Sequence, residues 1–419
     1  MRTNKVFIVC YIGSILEWYD FAIFAAFSPV ISKLFFPAFN HTNALLMTFA
    51  VFSVGFFARP FGAIVFGYIG DTKGRKRALS KTIIYMTIAT VLIGCLPGYK
   101  AIGILSPLLL VLFRLIQGFS VSGEFPGVMT FFKESFKGKR SGFFTSFSVS
   151  GTVLGIVLGY FISTVIYAIF RGSLLFSIGW RIPFLLSVLL GVVAYYLRAK
   201  VDETFSFEAL KRDNSIERQP VKSIFFKYKS NVLSIIGLFW VKELSFYLIF
   251  VYLPVYLIQV HHYVKASIMM ENAINMFLIA LLLPLFGHFS DKIGNVKFAI
   301  FSILFLIIGA FPVYYLIINR GYIFAMALQL LLAIIMSSYQ SGLPGIAAAL
   351  FPANVRFSGL SLCINISAAL FGGTAPFLAA YLIKLTGTYY ASCYYLIIAS
   401  VAALFCLMIL RKKFGEVLV

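Results

Sequence analysis

Charged side chains are scarce in this sequence. Only 12% of its 419 residues are charged, whereas 61% are hydrophobic and the mean hydropathy is +0.96. A soluble globular protein carries charge on about a quarter of its residues, so this chain has too little charge to cover a surface in water. Long apolar runs recur from end to end instead, which indicates that lipid is the solvent.

Motifs that would support a chemical reaction are also absent from the sequence. It contains four histidines and five cysteines, and none of them forms an HExxH or CxxC pattern, so nothing suggests a zinc site. There is no GxSxG nucleophile motif and no GxxxxGK[ST] loop to hold ATP phosphates. We therefore expect neither an enzyme nor a cofactor nor a metal site, and we expect any transport to be driven by gradients.

Acidic residues are few, with 14 Asp and Glu against 35 Lys and Arg. The net charge of +21 could suggest a nucleic-acid partner, but the basic residues form short clusters between apolar runs rather than a basic domain. Most of them lie at the two termini and in one set of alternate loops. The positive-inside rule therefore predicts that both termini are cytoplasmic, and we expect no nucleic-acid partner.

The apolar runs predict twelve membrane-spanning helices. We place them at residues 6–31, 44–69, 81–97, 105–131, 142–169, 179–197, 231–260, 267–288, 297–318, 322–349, 358–384 and 388–410. A long polar stretch separates the first six spans from the last six. The sequence thus predicts three parts: an N-terminal bundle at 1–198, a cytoplasmic linker at 199–230 and a C-terminal bundle at 231–419.

A repeat supports this division into halves. Three residues around the loop between spans 2 and 3 recur with the same spacing between spans 8 and 9: Gly67, Asp71 and Gly74 correspond to Gly287, Asp291 and Gly294. A second echo joins the sequence RSG at 140–142, after span 4, to RFSG at 356–359, after span 10. Two six-helix halves of parallel topology with a site between them are typical of secondary transporters.

Several motifs carry a family resemblance. They are the GxxxD(x)₂GRK pattern at 67–76, LEWYDF at 16–21, FARPFG at 57–62, RLIQG at 114–118 and SGE at 122–124. The chain resembles the major facilitator superfamily and, within it, the metabolite:proton symporters, which include carriers of proline/betaine, citrate and 2-oxoglutarate. The chain departs from that pattern at Asn295, where an arginine is expected, and at Ala349, where a glutamate is common.

Ionisable groups within a membrane span are costly, so each is a functional candidate. At about 1.5 Å per residue, Glu17 and Asp20 in span 1 lie level with Arg114 in span 4. We expect Arg114 to pair with one of these acids. We also expect Glu17 or Asp20 to exchange the coupling proton, with Arg114 competing for the deprotonated carboxylate. The alternative is a fixed salt bridge that positions the two spans.

A second ion pair is expected near the cytoplasmic boundary of the membrane, between Arg59 and Glu124, which we place at the same depth. We assign both to a cytoplasmic gate, because a glycine turn with an acid and basic residues can bind a neighbouring helix end in one conformation and release it in another. The other gate residues are Asp71, Gly74, Arg75, Lys76 and Asp291. The simpler interpretation of the basic residues is that they only anchor the topology.

Substrate-binding candidates follow from midplane charge and aromatic residues. Lys242 could bind a substrate carboxylate, and Glu243 could bind a cation or Lys242 itself. A pairing of either residue with a neighbouring helix is the structural alternative. Trp18, Tyr19 and Tyr247 could line a site for an ammonium group through cation–π contacts.

The sequence thus predicts an all-α membrane protein with twelve transmembrane helices in two pseudo-symmetric halves, the major facilitator fold. We expect a proton-coupled symporter, a multi-pass monomer of the bacterial inner membrane, that imports an amino acid, a betaine or a similar small metabolite by alternating access. The alternatives are a symporter of di- or tricarboxylates and, in a different class, a transporter-like nutrient sensor.

Overall fold

The computed structural model describes residues 2–37, 41–136, 140–261 and 263–414, and no strand occurs among them. Residues 137–139, between the predicted fourth and fifth spans, and the C-terminal residues 415–419 lie outside this description. The α-helices are α1 (Arg2–Ala26), α2 (Ser28–Phe35), α3 (His41–Lys73), α4 (Arg75–Cys95), α5 (Tyr99–Ile102), α6 (Leu105–Ser135), α7 (Ser141–Ile169), α8 (Arg181–Ala199), α9 (Phe205–Arg212), α10 (Pro220–Lys227), α11 (Lys229–Tyr247), α12 (Leu253–Gln259), α13 (Lys265–Ile293), α14 (Asn295–Asn319), α15 (Tyr322–Ala349), α16 (Arg356–Ser367), α17 (Ala375–Thr386) and α18 (Ala391–Phe414).

Twelve helical stretches of the described residues are long and apolar enough to cross a membrane, as the sequence predicts. Two of the twelve, those formed by α11 with α12 and by α16 with α17, are continuous across π-helical turns at Leu248–Tyr252 and Ala368–Gly372. The third span begins at Arg75 rather than at the predicted residue 81. The prediction was wrong there because a run of basic residues suggested a loop, whereas the Arg75 side chain is buried.

The two halves pack against each other along two equivalent seams. In one seam α3 packs on α16, and in the other α13 packs on α7. The repeat relates α3 to α13 and α7 to α16, so the seams are pseudo-symmetric copies of one another. This arrangement confirms the predicted fold of two six-helix halves.

Close packing within the N-terminal half depends on glycine. The glycines of α7 at positions 151, 155 and 159 lie on α1, where a Cβ at Gly155 would meet the carbonyl oxygen of Ile15. Gly118 of α6 lies directly on the backbone of Gly55 of α3. Small residues let membrane helices approach closely, and these contacts hold α1, α3, α6 and α7 in fixed relative positions around the groups described below.

The contact between Gly118 and Gly55 predicts a stability defect. Gly118→Ala would force a methyl group into the backbone of α3, so we expect a loss of about 1–3 kcal/mol, measured as a lower thermal unfolding midpoint of the purified protein. Gly309→Ala is the matched control, because among the described residues its added Cβ would meet Cδ1 of Ile335 at 3.9 Å and no closer atom beyond its own helix backbone. Equal midpoints for the two variants would contradict the prediction.

Candidate functional site

Two aspartates join the halves at one end of the protein. We call this the basic end, because Lys73, Lys76 and Lys292 lie there beside the turns at Gly74 and Gly294. The carboxylate of Asp71 accepts hydrogen bonds from the backbone N–H of Phe357 at 3.2 Å and of Ser358 at 2.8 Å. Those N–H groups belong to the first turn of α16 and have no partner within their own helix. Asp71 therefore caps a helix of the opposite half.

The repeat reproduces this cap at the second seam. The carboxylate of Asp291 accepts from the backbone N–H of Gly142 at 2.6 Å and of Phe143 at 2.8 Å, in the first turn of α7. The sequence predicts that the aspartates bind a neighbouring helix end, and both caps have that geometry. The turns that follow them require glycine, since φ is +109° at Gly74 and +100° at Gly294.

Among the residues that the structure describes, the first cap is embedded in a buried charge network and the second is not. Arg75 lies 3.5 Å from Asp71 and donates from Nε and Nη2 to the two carboxylate oxygens of Glu134, each at 3.2 Å. Arg356 of the other half donates to Glu134 at 2.8 Å, and so does the hydroxyl of Thr204 at 2.6 Å. At the second cap Asn295 replaces the arginine, and its Oδ1 accepts from Ser290.

The linker reinforces the first cap. The backbone N–H of Lys76 donates to the carboxylate of Glu203 at 3.1 Å, and its Nζ donates to the carbonyl of Ala199 at 2.8 Å. Burial raises the pKa of Glu203, while hydrogen bonds from backbone N–H groups and the charge of Arg75 oppose that rise. Lys76 thus links α4 to the segment after α8.

The predicted pair of Arg59 and Glu124 does not form. Glu124 is held instead by both terminal nitrogens of Arg198, and the Thr82 hydroxyl donates to it at 2.9 Å. The prediction was wrong because Arg198 was counted with the basic residues of a loop, whereas it closes α8 and is buried. Arg198 and Glu124 therefore form an ion pair inside the N-terminal half.

Arg59 lies among aromatic rings. Its guanidinium carbon is 4.2 Å from the ring centroid of Phe56, 5.1 Å from that of Phe21 and 5.6 Å from that of Trp18. The side chain is 3% exposed. The same rings reach the other half, because Phe56 and Tyr247 have centroids 6.1 Å apart. Arg59 thus lies where the halves meet, and its place in the gate stays a prediction.

Arg114 does not pair with either predicted acid. It donates to Oε1 of Gln117 at 2.8 Å and packs over the rings of Phe21 and Phe24. The ion pairs between described residues include none from Arg114 to Glu17 or Asp20. Depth was estimated from helix length alone, which does not give the direction in which a side chain points around the helix.

Asp20 and Glu17 differ in their surroundings. Asp20 accepts a short hydrogen bond from the hydroxyl of Ser187 in α8. Neither carboxylate oxygen of Glu17 has a hydrogen-bond partner, although the residue is only 6% exposed. A buried carboxylate without partners is costly unless it is protonated or hydrated. Glu17 therefore has the surroundings of a group that takes up a proton.

A small cavity lies beside these acids, between α1, α4, α6 and α8. Its volume is about 20 Å³, which is room for one water molecule. Its polar lining consists of Glu17, Asp20, Thr82, Thr87, Glu124 and Ser187. Three carboxyl groups and three hydroxyls in one enclosure can pass a proton between them through a single water.

In the C-terminal half, the two charged residues predicted near the membrane midplane, Lys242 and Glu243, pair with each other. Nζ of Lys242 donates to Oε1 of the adjacent Glu243 at 2.7 Å, so the two charges neutralise each other, one of the possibilities left open above. Nζ also lies 4.9 Å from the ring centroid of Phe125 in the opposite half. Lys242 thus lies at the junction of the halves, as a substrate-binding residue would.

The aromatic candidates separate into two groups. Trp18 and Tyr247 both pack on the cluster that contains Phe21 and Phe56, and the indole Nε1 of Trp18 has no hydrogen-bond partner. Tyr19, in contrast, is fully buried in the N-terminal half and donates its hydroxyl to the carbonyl of Pro183 at 2.8 Å. The expectation that Tyr19 lines a substrate site is therefore not supported by its position.

Sequence reasoning missed several residues of these networks: Glu134, Ser187, Arg198 and the role of Arg356. The echo of RSG at 140–142 and RFSG at 356–359 held a usable signal, because these segments form the two capped helix starts. With the repeated aspartates, the echo could have predicted both caps. No comparable pattern marks Ser187 or Arg198.

Comparison with known proteins places these features in context. Residues 10–362 match the family model of the Major Facilitator Superfamily. A putative proline/betaine transporter of Staphylococcus aureus (strain COL) is 33% identical over 96% of this chain and 86% of its own length. The proline/betaine transporter of Escherichia coli (strain K12) is 32% identical over 96% of this chain and 82% of its own.

Solved structures share the fold at low identity. The proton:xylose symporter XylE bound to 6-bromo-6-deoxy-D-glucose superposes with a TM-score of 0.81 at 15% identity, over 98% of this chain and 96% of that one. The human organic anion transporter MFSD10 gives a TM-score of 0.71 at 14% identity, over 97% of this chain and all of that one.

The asymmetry of the two caps predicts unequal stability effects. Asp71→Ala would leave two helix N–H groups unbonded and remove a buried partner of Arg75, so we expect a loss of about 3–5 kcal/mol. Asp291→Ala leaves N–H groups unbonded beside the neutral Asn295, and we expect about 1–3 kcal/mol. Thermal unfolding of both purified variants measures the difference, and a larger loss in Asp291→Ala would refute this account.

Proposed function

The chain belongs to the Major Facilitator Superfamily, and from this we propose that it is a proton-coupled symporter that imports a small zwitterionic metabolite. Membership confirms the family resemblance found in the sequence. The expectation of a multi-pass transporter rather than an enzyme is also confirmed, since the curated relatives are transporters. Proton coupling and the substrate class are the proposal.

The observation that carries the proposal is the Glu17 carboxyl group. It is buried, has no hydrogen-bond partner and opens on a cavity shared with Asp20 and Glu124. The charges that act on it include two cations, Arg198 and Arg59, and the two neighbouring acids. A carboxyl group balanced in this way can bind a proton in one conformation and release it in another.

The substrate class follows from the charges at the junction of the halves. Lys242 is already neutralised by Glu243, so of the cations described at this junction Arg59 remains for a substrate carboxylate, which suits one carboxylate better than two or three. A substrate with one carboxylate and one ammonium group suits this balance better. The names of the two bacterial relatives, proline/betaine transporters, support a zwitterion as well.

Alternating access would use the two caps as the gate. Both aspartates hold the halves together at the basic end, with Arg75, Glu134 and Arg356 bridging the first seam. Release of the two caps would allow that end to open, since each cap is a small set of hydrogen bonds to a helix start. Gly74 and Lys76 belong to the same gate, and Glu124 supports it from within the N-terminal half.

The clustering of basic residues favours a cytoplasmic location for the basic end and both termini. We therefore assign the protein to the bacterial inner membrane. The proposed parts are an N-terminal bundle at 1–198, a cytoplasmic linker at 199–230 and a C-terminal bundle at 231–419. A functional monomer is sufficient for this mechanism, since the proposed site uses residues of one chain.

The substrate class can be tested with purified protein in liposomes under an imposed pH gradient. We expect proton influx on addition of L-proline or glycine betaine, and a weaker response or none to dicarboxylates such as succinate. A response to dicarboxylates alone would replace the zwitterion by the alternative substrate class. Substrate movement without proton movement would contradict symport.

A variant of Glu17 tests the proton site. Glu17→Gln cannot release a proton, so we expect uphill uptake driven by the pH gradient to fall at least tenfold while substrate exchange across the membrane continues. Glu208→Gln is the matched control, because Glu208 is an exposed residue of the linker helix α9. Asp20→Asn shows whether the second acid contributes. Full uphill uptake in both Glu17→Gln and Asp20→Asn would exclude these acids as the coupling site.

A further inference from the structure

The guanidinium of Arg59 has an unused edge. Its Nε and Nη2 atoms have no hydrogen-bond partner, although the side chain is 97% buried. Buried polar groups in proteins are nearly always hydrogen-bonded. A cation with two free donors inside the membrane is therefore a site that a ligand can complete.

The geometry of that edge suits a carboxylate. Nε–H and one Nη2–H of an arginine point in parallel along one side of the planar group, which matches the two oxygens of a carboxylate. The same molecule contains an example, because Arg75 uses Nε and Nη2 to hold the two oxygens of Glu134 at 3.2 Å each. At Arg59 the equivalent position has no protein acceptor.

The aromatic rings supply no oxygen or nitrogen acceptor to this edge. The ring centroids of Phe56, Phe21 and Trp18 lie within 5.6 Å of the guanidinium carbon, where cation–π contact stabilises the charge. Such contacts do not replace hydrogen bonds from the N–H donors. The rings also limit access of water, so they fix Arg59 without satisfying its donors.

No acid of the described chain forms an ion pair with this edge. Glu243 is bonded to Lys242, and Glu124 is bonded to Arg198. Glu17 is influenced by the charge of Arg59, yet neither of its oxygens accepts a hydrogen bond. The acceptor for Arg59 must therefore come from outside the protein or from a movement of Glu17.

We propose that the Nε and Nη2 edge of Arg59 binds the carboxylate of the transported substrate, within walls formed by Trp18, Phe21 and Phe56. The site lies between the halves, because Tyr247 packs on Phe56 and Gly373 of the same half approaches that ring. This inference rests on the proposed function and deepens it. It makes Arg59 a specificity-determining residue for substrates with a carboxylate.

Two matched ligands isolate the carboxylate. L-Proline and L-prolinamide share the ring and the ammonium group, and only L-proline carries a carboxylate. Binding of each to purified wild-type protein and to Arg59→Gln is measured by isothermal titration, with transport in liposomes as a second readout. Arg59→Lys retains the charge without the parallel donors, and Arg320→Gln makes the same change as Arg59→Gln at an exposed arginine.

We expect wild-type protein and Arg320→Gln to prefer L-proline over L-prolinamide by at least thirtyfold. In Arg59→Gln the Kd for L-proline should rise by at least thirtyfold, and the preference should fall towards one. Arg59→Lys should lie between them. These ratios follow from the loss of a buried, charge-assisted pair of hydrogen bonds.

Two outcomes would overturn the inference. The first is an unchanged Kd for L-proline in folded Arg59→Gln, and if uphill uptake is lost at the same time, Arg59 serves Glu17 rather than the substrate. The second is a wild-type protein that binds both ligands equally, which is decisive even if the variants do not fold.

The proposed function and this inference fail in different ways. Binding that depends on Arg59 but occurs without proton movement would remove symport and keep the carboxylate site. Proton-coupled uptake that is insensitive to Arg59 would keep symport and remove the site. Folded wild-type protein that binds none of L-proline, glycine betaine and succinate would overturn both.

Discussion

The capping of a helix start by an aspartate from the opposite half is the interaction on which the closed basic end depends. A helix start within or near a membrane exposes N–H groups that must find acceptors. Asp71 and Asp291 supply those acceptors for α16 and α7, so each helix start is satisfied only while the halves are together. The seam contacts, the buried Glu134 network and the attachment of the linker all surround the first of these caps.

The repeat explains why there are two caps and why they are unequal. The sequence frame of Asp71 and Gly74 recurs, and so does the backbone geometry, since both turns have φ near +100°. The charge network does not recur, because Asn295 lacks the charge of Arg75 and Asp291 is partly exposed. The Asp71 cap and its charge network can therefore set the stability of the closed basic end. The Asp291 cap at the second seam contributes less to that stability.

Features that depend on composition and on repeated spacing could be predicted from the sequence. Twelve spans, two halves and the aspartate turns follow from apolar length and from a recurring pattern, and the structure agrees with them. Pairings of buried charges could not be predicted, because depth along a helix says nothing of direction around it. By residue count Arg114 was expected to lie level with Asp20, yet it bonds to Gln117. Tyr19, between the functional candidates Trp18 and Asp20, packs inwards. Arg198 was missed for another reason, since it is a buried charge at a helix end that resembles a loop residue.

The two proposals together give a physical basis for coupling. Glu17 is an acid and Arg59 is a base, and both are buried. The two carboxyl oxygens of Glu17 and the Nε and Nη2 atoms of Arg59 have no hydrogen-bond partner. In an empty carrier the ionised Glu17 and Arg59 can balance each other by a small movement, and in a loaded carrier a proton satisfies Glu17 while a carboxylate satisfies Arg59.

A carrier with only one of the two ligands keeps one charge unbalanced, and an unpaired buried charge is strongly unfavourable. The free energy of reorientation through an occluded state would therefore be low for the empty and the fully loaded forms. It would be high for the half-loaded forms, and this difference is the condition for symport. The positive group of a zwitterion needs its own environment, and we propose that the ring faces of Trp18 and Tyr247, which pack on the same cluster, would provide one.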